Sequence, residues 1–174
     1  VQPVLEVKKP TKTVDKKNFI IARGIQFSHY YANLLYEFSK MKGFESMLSV
    51  IGKKDDRPTP ELVNTVFVLL NSSVKLLHKE YIKQLAPEML SNASAYLTEM
   101  TQNELRNIKK DSIDLITKTL KMFISYSESF EESNKKIENF GVSLAIKMLK
   151  TTFLEKRIQA IKTLVDVIHS SKSD

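Results

Sequence analysis

The side chains with which this sequence could do chemistry are three histidines, two short acidic clusters and one basic stretch. His29, His78 and His169 lie far apart in the chain. None belongs to a His-Glu-x-x-His pair, and none has a carboxylate at metal-ligand spacing. His29 reads as a partly buried helix residue. His78 and His169 read as residues near helix C-termini, where a cation meets the negative end of the helix dipole. Asp55–Asp56 and the trio Glu128, Glu131 and Glu132 fall in turns or at helix starts. Negative charge there complements the next helix N-terminus, and the alternating oxygen ligands and central glycine of a calcium loop are missing. The chain has no cysteine, which removes thiolate ligands, cysteine nucleophiles and disulfides together. With 4 glycines in 174 residues, phosphate-cradling loops are hard to build, and neither a P-loop, a dinucleotide fingerprint nor a nucleophile elbow is present. The sequence therefore leads us to expect no catalytic, cofactor-binding or metal-ligating residue, and no enzyme in this segment.

What remains is binding. Lys147, Lys150, Lys156, Arg157 and Lys162 form a basic stretch across the last two helical segments. They are the candidate partner-binding residues, as a docking surface for an acidic protein; a solvated face is the other reading. The net charge of +7 is partly explained by Lys8, Lys9, Lys12, Lys16 and Lys17 near the start. Elsewhere lysines interleave with Asp and Glu, which argues against nucleic acid as the partner, since such binders concentrate charge with aromatics or a recognition helix. The aromatic run HYYANLLYEF is no stacking platform on its spacing. Tyr30, Tyr31, Leu34, Leu35 and Phe38 share one helical face, as core or as an inter-helix seam.

The elements that must position these residues read as helices throughout. Residues 1–18 form a flexible basic lead-in, and FIIARGI (19–25) a short helix or strand. A helix starting near Ser28 carries Phe27, Tyr30, Tyr31, Leu34, Leu35, Phe38 and Met41 on a single buried face, with Gly43 as its left-handed C-terminal residue. FESMLSVI follows, burying Phe44, Met47, Leu48 and Ile51. After the loop KKDDRPTP, Thr59 caps a helix with Pro60 in its first turn. Its apolar residues, among them Val63, Phe67 and Leu70, cover more than one face and place it at the centre. Pro87 breaks or kinks the next segment. Thr101 and Glu104 form a capping box that opens one long helix from Leu105 to Tyr126. Beyond the acidic turn SESFEESN lies a helix with Ile137, Phe140, Leu144 and Met148. The last has Leu154, Ile158, Ile161, Val165 and Ile168 in a clean stripe.

About seven helices joined by short turns give an all-α fold, either an armadillo- or HEAT-like helical stack or a compact multi-helix bundle. The two-faced helix at 61–77 favours the stack. Residues 19–170 form a single helical domain and 171–174 a polar tail. A start without methionine and a polar end read as a segment of a longer protein. No apolar run reaches the roughly 20 residues of a membrane span, and the start has no signal-peptide core. An intracellular setting, cytoplasmic or nuclear, is expected.

Two phrases resemble a known family. Leu154, Glu155, Lys156, Arg157, Ile158, Ile161, Leu164 and Ile168 are similar to the LEKRL-x-x-L-x-x-I-x-x-x-I helix of the very large ubiquitin-specific proteases of the fat-facets type. Gly43, Phe44, Met47 and Leu48 resemble the same family's G-G-F-x-x-[IL]-L segment, with Lys42 in place of the first glycine. The resemblance implies a helical-repeat region preceding the catalytic domain of a ubiquitin carboxyl-terminal hydrolase. The catalytic cysteine and histidine would then lie outside this segment. The implied partners are ubiquitin or ubiquitinated substrates.

Overall fold

A helix begins where a side chain can satisfy its first free N–H groups, and this chain supplies such caps repeatedly. The computed structural model describes residues 29–170, which form eight helices and, among the described residues, no strand. They are α1 (29–40), α2 (Gly43–Ile51), α3 (Pro60–Ser73), α4 (Lys79–Thr98), α5 (Gln102–Asn107), α6 (Lys110–Ser127), α7 (Phe130–Leu149) and α8 (Leu154–Ser170). The Thr59 hydroxyl accepts from Leu62 N–H at 3.3 Å, with Pro60 in the first turn. Ser129 accepts from Glu132 N–H at 3.3 Å at the start of α7, so the acidic segment lies in a first turn. The expected lead-in at 1–18, the segment 19–25, the start near Ser28 and the tail at 171–174 lie outside the described residues.

The core runs through the middle of this set. Phe44, Leu48 and Ile51 of α2, Phe67 and Leu70 of α3, Ile82, Leu85 and Met89 of α4, and Ile116, Leu120 and Phe123 of α6 are fully buried. α4 packs against α2, α6 and α7, while α6 packs against α3, α4 and α7. Two polar ties fix α2 on α4. Asn92 Nδ2 donates to Leu48 O at 2.9 Å, and the Tyr81 hydroxyl donates to Glu45 at 2.8 Å.

Five details depart from the sequence reading. Lys42, not Gly43, takes the left-handed conformation (φ 56°) between α1 and α2. Gly43 is needed for space instead: a Cβ there would lie 2.3 Å from the Phe38 ring. α1 does not bury a whole face, since Leu35 is buried but Tyr30, Leu34 and Met41 are exposed. α3 is not the central helix. It packs on α6 and more lightly on α2, and its second apolar face (Leu62, Val68 in the helix, Leu76 just beyond) lies exposed. Helix α4 continues through Pro87. The ring is exposed, as is Lys83 four residues before it, so the one carbonyl left without its helical N–H is on the open side. Finally, the capping box at Thr101 is present but opens only α5. Ile108 turns extended (ψ 127°) and a new helix starts at Lys110.

Candidate interaction surfaces

The break at Ile108 decides the fate of one candidate binding residue. An extended residue between two helices leaves its carbonyl free of the helical ladder. Lys156 fills that vacancy: its ammonium donates to Ile108 O, and the side chain is 7% exposed. Burial pushes the Lys156 pKa below its usual value, with Glu155 partly opposing. Beside it, the Arg106 guanidinium sits 5.2 Å from the centroid of the Phe153 ring. Lys156 therefore pins the start of α8 to the α5–α6 corner, its ammonium turned away from the surface.

Lys147 is also engaged internally. It donates to Thr98 O at the end of α4, and burial lowers its pKa. Lys150, Arg157 and Lys162 are exposed. Of the five basic residues singled out in the sequence, the fold thus leaves three at the surface and draws two inward. The histidines are separate as well. His29 is exposed on α1, and His169 lies in the last turn of α8. His78 is not at a helix C-terminus; it is the N-cap of α4, its Nδ1 accepting from Glu80 N–H at 3.3 Å. Among the described residues no three His, Asp or Glu side chains are placed to hold a metal ion, and no helix is long and apolar enough to cross a membrane.

The most buried ion pair among the described residues is structural. Arg57, in the loop before α3, reaches both Glu104 oxygens at 3.4 Å and Tyr96 O at 3.3 Å, with its guanidinium 5.4 Å from the Tyr96 ring centroid. Glu104 simultaneously accepts Thr101 N–H at 2.7 Å. Burial works against its charge, but Thr101 and Arg57 outweigh that and hold the carboxyl below the usual range. Burial, then Glu104, push the Tyr96 phenol up to about 12. This clasp locks the α2–α3 loop to the α4–α5 corner. An open groove of about 300 Å³ runs between α4 and α7, floored by Leu97, Phe140 and Leu144. Its lysines are occupied, Lys136 by Glu128 and Lys147 by Thr98 O.

The feature that points outward is α8. It rests chiefly on α7 through a face in which Lys156 and Ala160 are buried and Thr163, Leu164 and Val167 half-buried. Its apolar stripe faces the other way. Leu154, Ile158, Ile161, Val165 and Ile168 are 69, 45, 52, 43 and 54% exposed. Scattered exposed apolar residues are ordinary, but a contiguous row is the mark of an interaction surface. The sequence displayed this stripe plainly; what it could not display was that the other described residues leave the stripe uncovered. A second apolar group, Tyr30 and Leu34 on α1 and Met41 just beyond it, lies exposed. No family model, curated protein or solved structure matches the chain.

Proposed function

We propose that this chain is a non-catalytic helical scaffold, a stack of paired helices of the armadillo or HEAT kind, which binds a protein through the outer face of α8. The observation that carries the proposal is the exposed row Leu154, Ile158, Ile161, Val165 and Ile168. The stack reading is supported by the order of neighbours. α2 meets α3, α4 meets α6 and α7 meets α8; α4 also meets α2 and α7, and α6 also meets α3 and α7. Such an arrangement grows by adding pairs, and its end pairs keep an apolar face unless something caps them.

A finer reading places the segment in a large ubiquitin carboxyl-terminal hydrolase, where it positions ubiquitin or ubiquitinated substrates. Its support is the resemblance of the Phe153–Ile168 phrase, whose apolar positions Leu154, Ile158, Ile161 and Ile168 are the ones exposed here. An adaptor unconnected with ubiquitin is the other form of the scaffold. Titrating ¹⁵N-labelled ubiquitin with the chain separates them. Shifts abolished by Ile161→Asp support the ubiquitin reading; no shifts at millimolar chain leave the adaptor. The coding sequence around the segment gives a second test, since a hydrolase requires a cysteine box and a histidine box beyond it.

A further inference from the structure

The spacing of the α8 stripe, its exposure and the charges beside it together suit a helix as its partner. Steps from Leu154 to Ile158, Ile161, Val165 and Ile168 alternate four and three, the 3.5-residue period of a two-helix seam. A face meant for a globular core is broader, with a third apolar position per heptad. Across the helix, Lys156, Ala160, Thr163 and Val167 face inward, so the stripe is free to meet another helix.

The charges beside the seam select the partner and its direction. Glu155 and Lys162 flank the stripe on one side, Arg157 and Leu164 on the other. Glu155, Arg157 and Lys162 are exposed, and no salt bridge among the described residues engages them. In a parallel pair of α8 helices, Arg157 would face Lys162 of the other copy, twice, and repel it. Reversing one helix changes the pattern. Ile158 then opposes Ile161 of the second copy and Leu154 opposes Val165, which makes four layers by symmetry. In that register Glu155 of each copy lies beside Lys162 of the other on one side of the seam, and on the opposite side each Arg157 stem covers Leu164 of the other copy.

We propose that α8 pairs antiparallel with α8 of a second copy of this chain, closing the seam with two reciprocal Glu155–Lys162 contacts. The inference deepens the docking role given to α8 above and commits it to one occupant. A self-complementary surface of this kind generates a closed two-fold dimer.

Sedimentation equilibrium of the full chain, from low to several hundred micromolar, reads the result. A monomer–dimer equilibrium is expected, and a monomer throughout overturns the proposal. Ile161→Asp puts two carboxylates into the seam and is expected to raise the dissociation constant at least about a hundredfold with the far-ultraviolet spectrum unchanged. Glu155→Lys is expected to weaken pairing about three- to tenfold, and adding Lys162→Glu to restore it. A double variant no better than the single one contradicts the antiparallel register. Direction is read independently with single cysteines, because the chain has none of its own. Glu155→Cys mixed with Lys162→Cys is expected to give the crossed disulfide dimer; crosslinks favouring like with like indicate a parallel pair and refute the geometry. The scaffold reading fails separately. A monomer that binds ubiquitin through Ile161 keeps it, whereas a dimer with no other partner leaves α8 a self-association surface alone.

Discussion

α6 and α8 carry the same kind of apolar row, and the fold treats them in opposite ways. On α6, Ile113, Ile116, Leu120 and Phe123 step by three, four and three residues, and none is more than 6% exposed. On α8, the five stripe residues step by four, three, four and three, and none is less than 43% exposed. Helix period reveals which face of a helix is apolar; it does not reveal whether the chain possesses anything to cover that face. α6 has α3, α4 and α7 around it. α8 has α7 behind it and a lysine, an alanine and a threonine on the inner side. Among the described residues nothing covers its outer row.

The contrast can be broken by mutation, and the largest effect belongs to the interior. Phe123→Ala on α6, or Phe67→Ala on α3, removes a fully buried ring and is expected to cost about 3–5 kcal/mol in urea unfolding. Ile161→Ala on α8, measured at concentrations where the chain is monomeric, is expected to stay within about 0.5 kcal/mol of the parent. Equal losses at the two positions would erase the distinction.

Within α8 itself, the inner and outer faces separate two adjacent basic residues. Lys156→Glu sets a carboxylate against the Ile108 carbonyl in a buried place, at an expected loss of about 2–4 kcal/mol. Arg157→Glu, on the exposed side, is expected to leave the unfolding midpoint unchanged. A Lys156 variant as stable as the parent would return that residue to the surface.

The acid limb of stability sharpens the same division, since its anchor lies on the buried side. Glu104 has a folded pKa below its ordinary value, so its contribution is complete above the ordinary carboxylate pKa and fades as pH falls through the folded one. Glu104→Gln is expected to flatten that loss. The smallest effect is a gain. Lys42→Gly relieves a left-handed residue and is expected to add up to about 1 kcal/mol. Gly43→Ala, next to it, should destabilise, because its Cβ meets Phe38.

Much of the fold was legible from local patterns. The Thr59 cap with Pro60, the Thr101–Glu104 box, the burial of Phe67 and the helical character of every described segment follow from side chains acting within a few residues. What stayed hidden depends on contacts distant in sequence. The α5–α6 break gains its meaning from Lys156, 48 positions after Ile108. Gly43 is a glycine because of the Phe38 ring, not because of its own torsions. Pro87 sits inside a helix because its side of α4 is open. The candidate surface was half legible: the basic residues drew attention to α8, where Arg157 and Lys162 are exposed but Lys156 is buried, and the apolar row beside them is exposed as well.

The account stands or falls on the accessibility of residue 161, and a chain without cysteine makes that directly measurable. Ile161→Cys and Ile116→Cys would each carry the protein's single thiol, titrated with a disulfide reagent under native conditions over a range of concentrations. A buried, slow thiol is expected at 116 throughout, and at 161 a thiol that reacts quickly when dilute and becomes protected as the chain is concentrated. A thiol at 161 that is slow even at the lowest concentration would mean that the monomer covers its own stripe, and would contradict both the exposed surface and its proposed occupant.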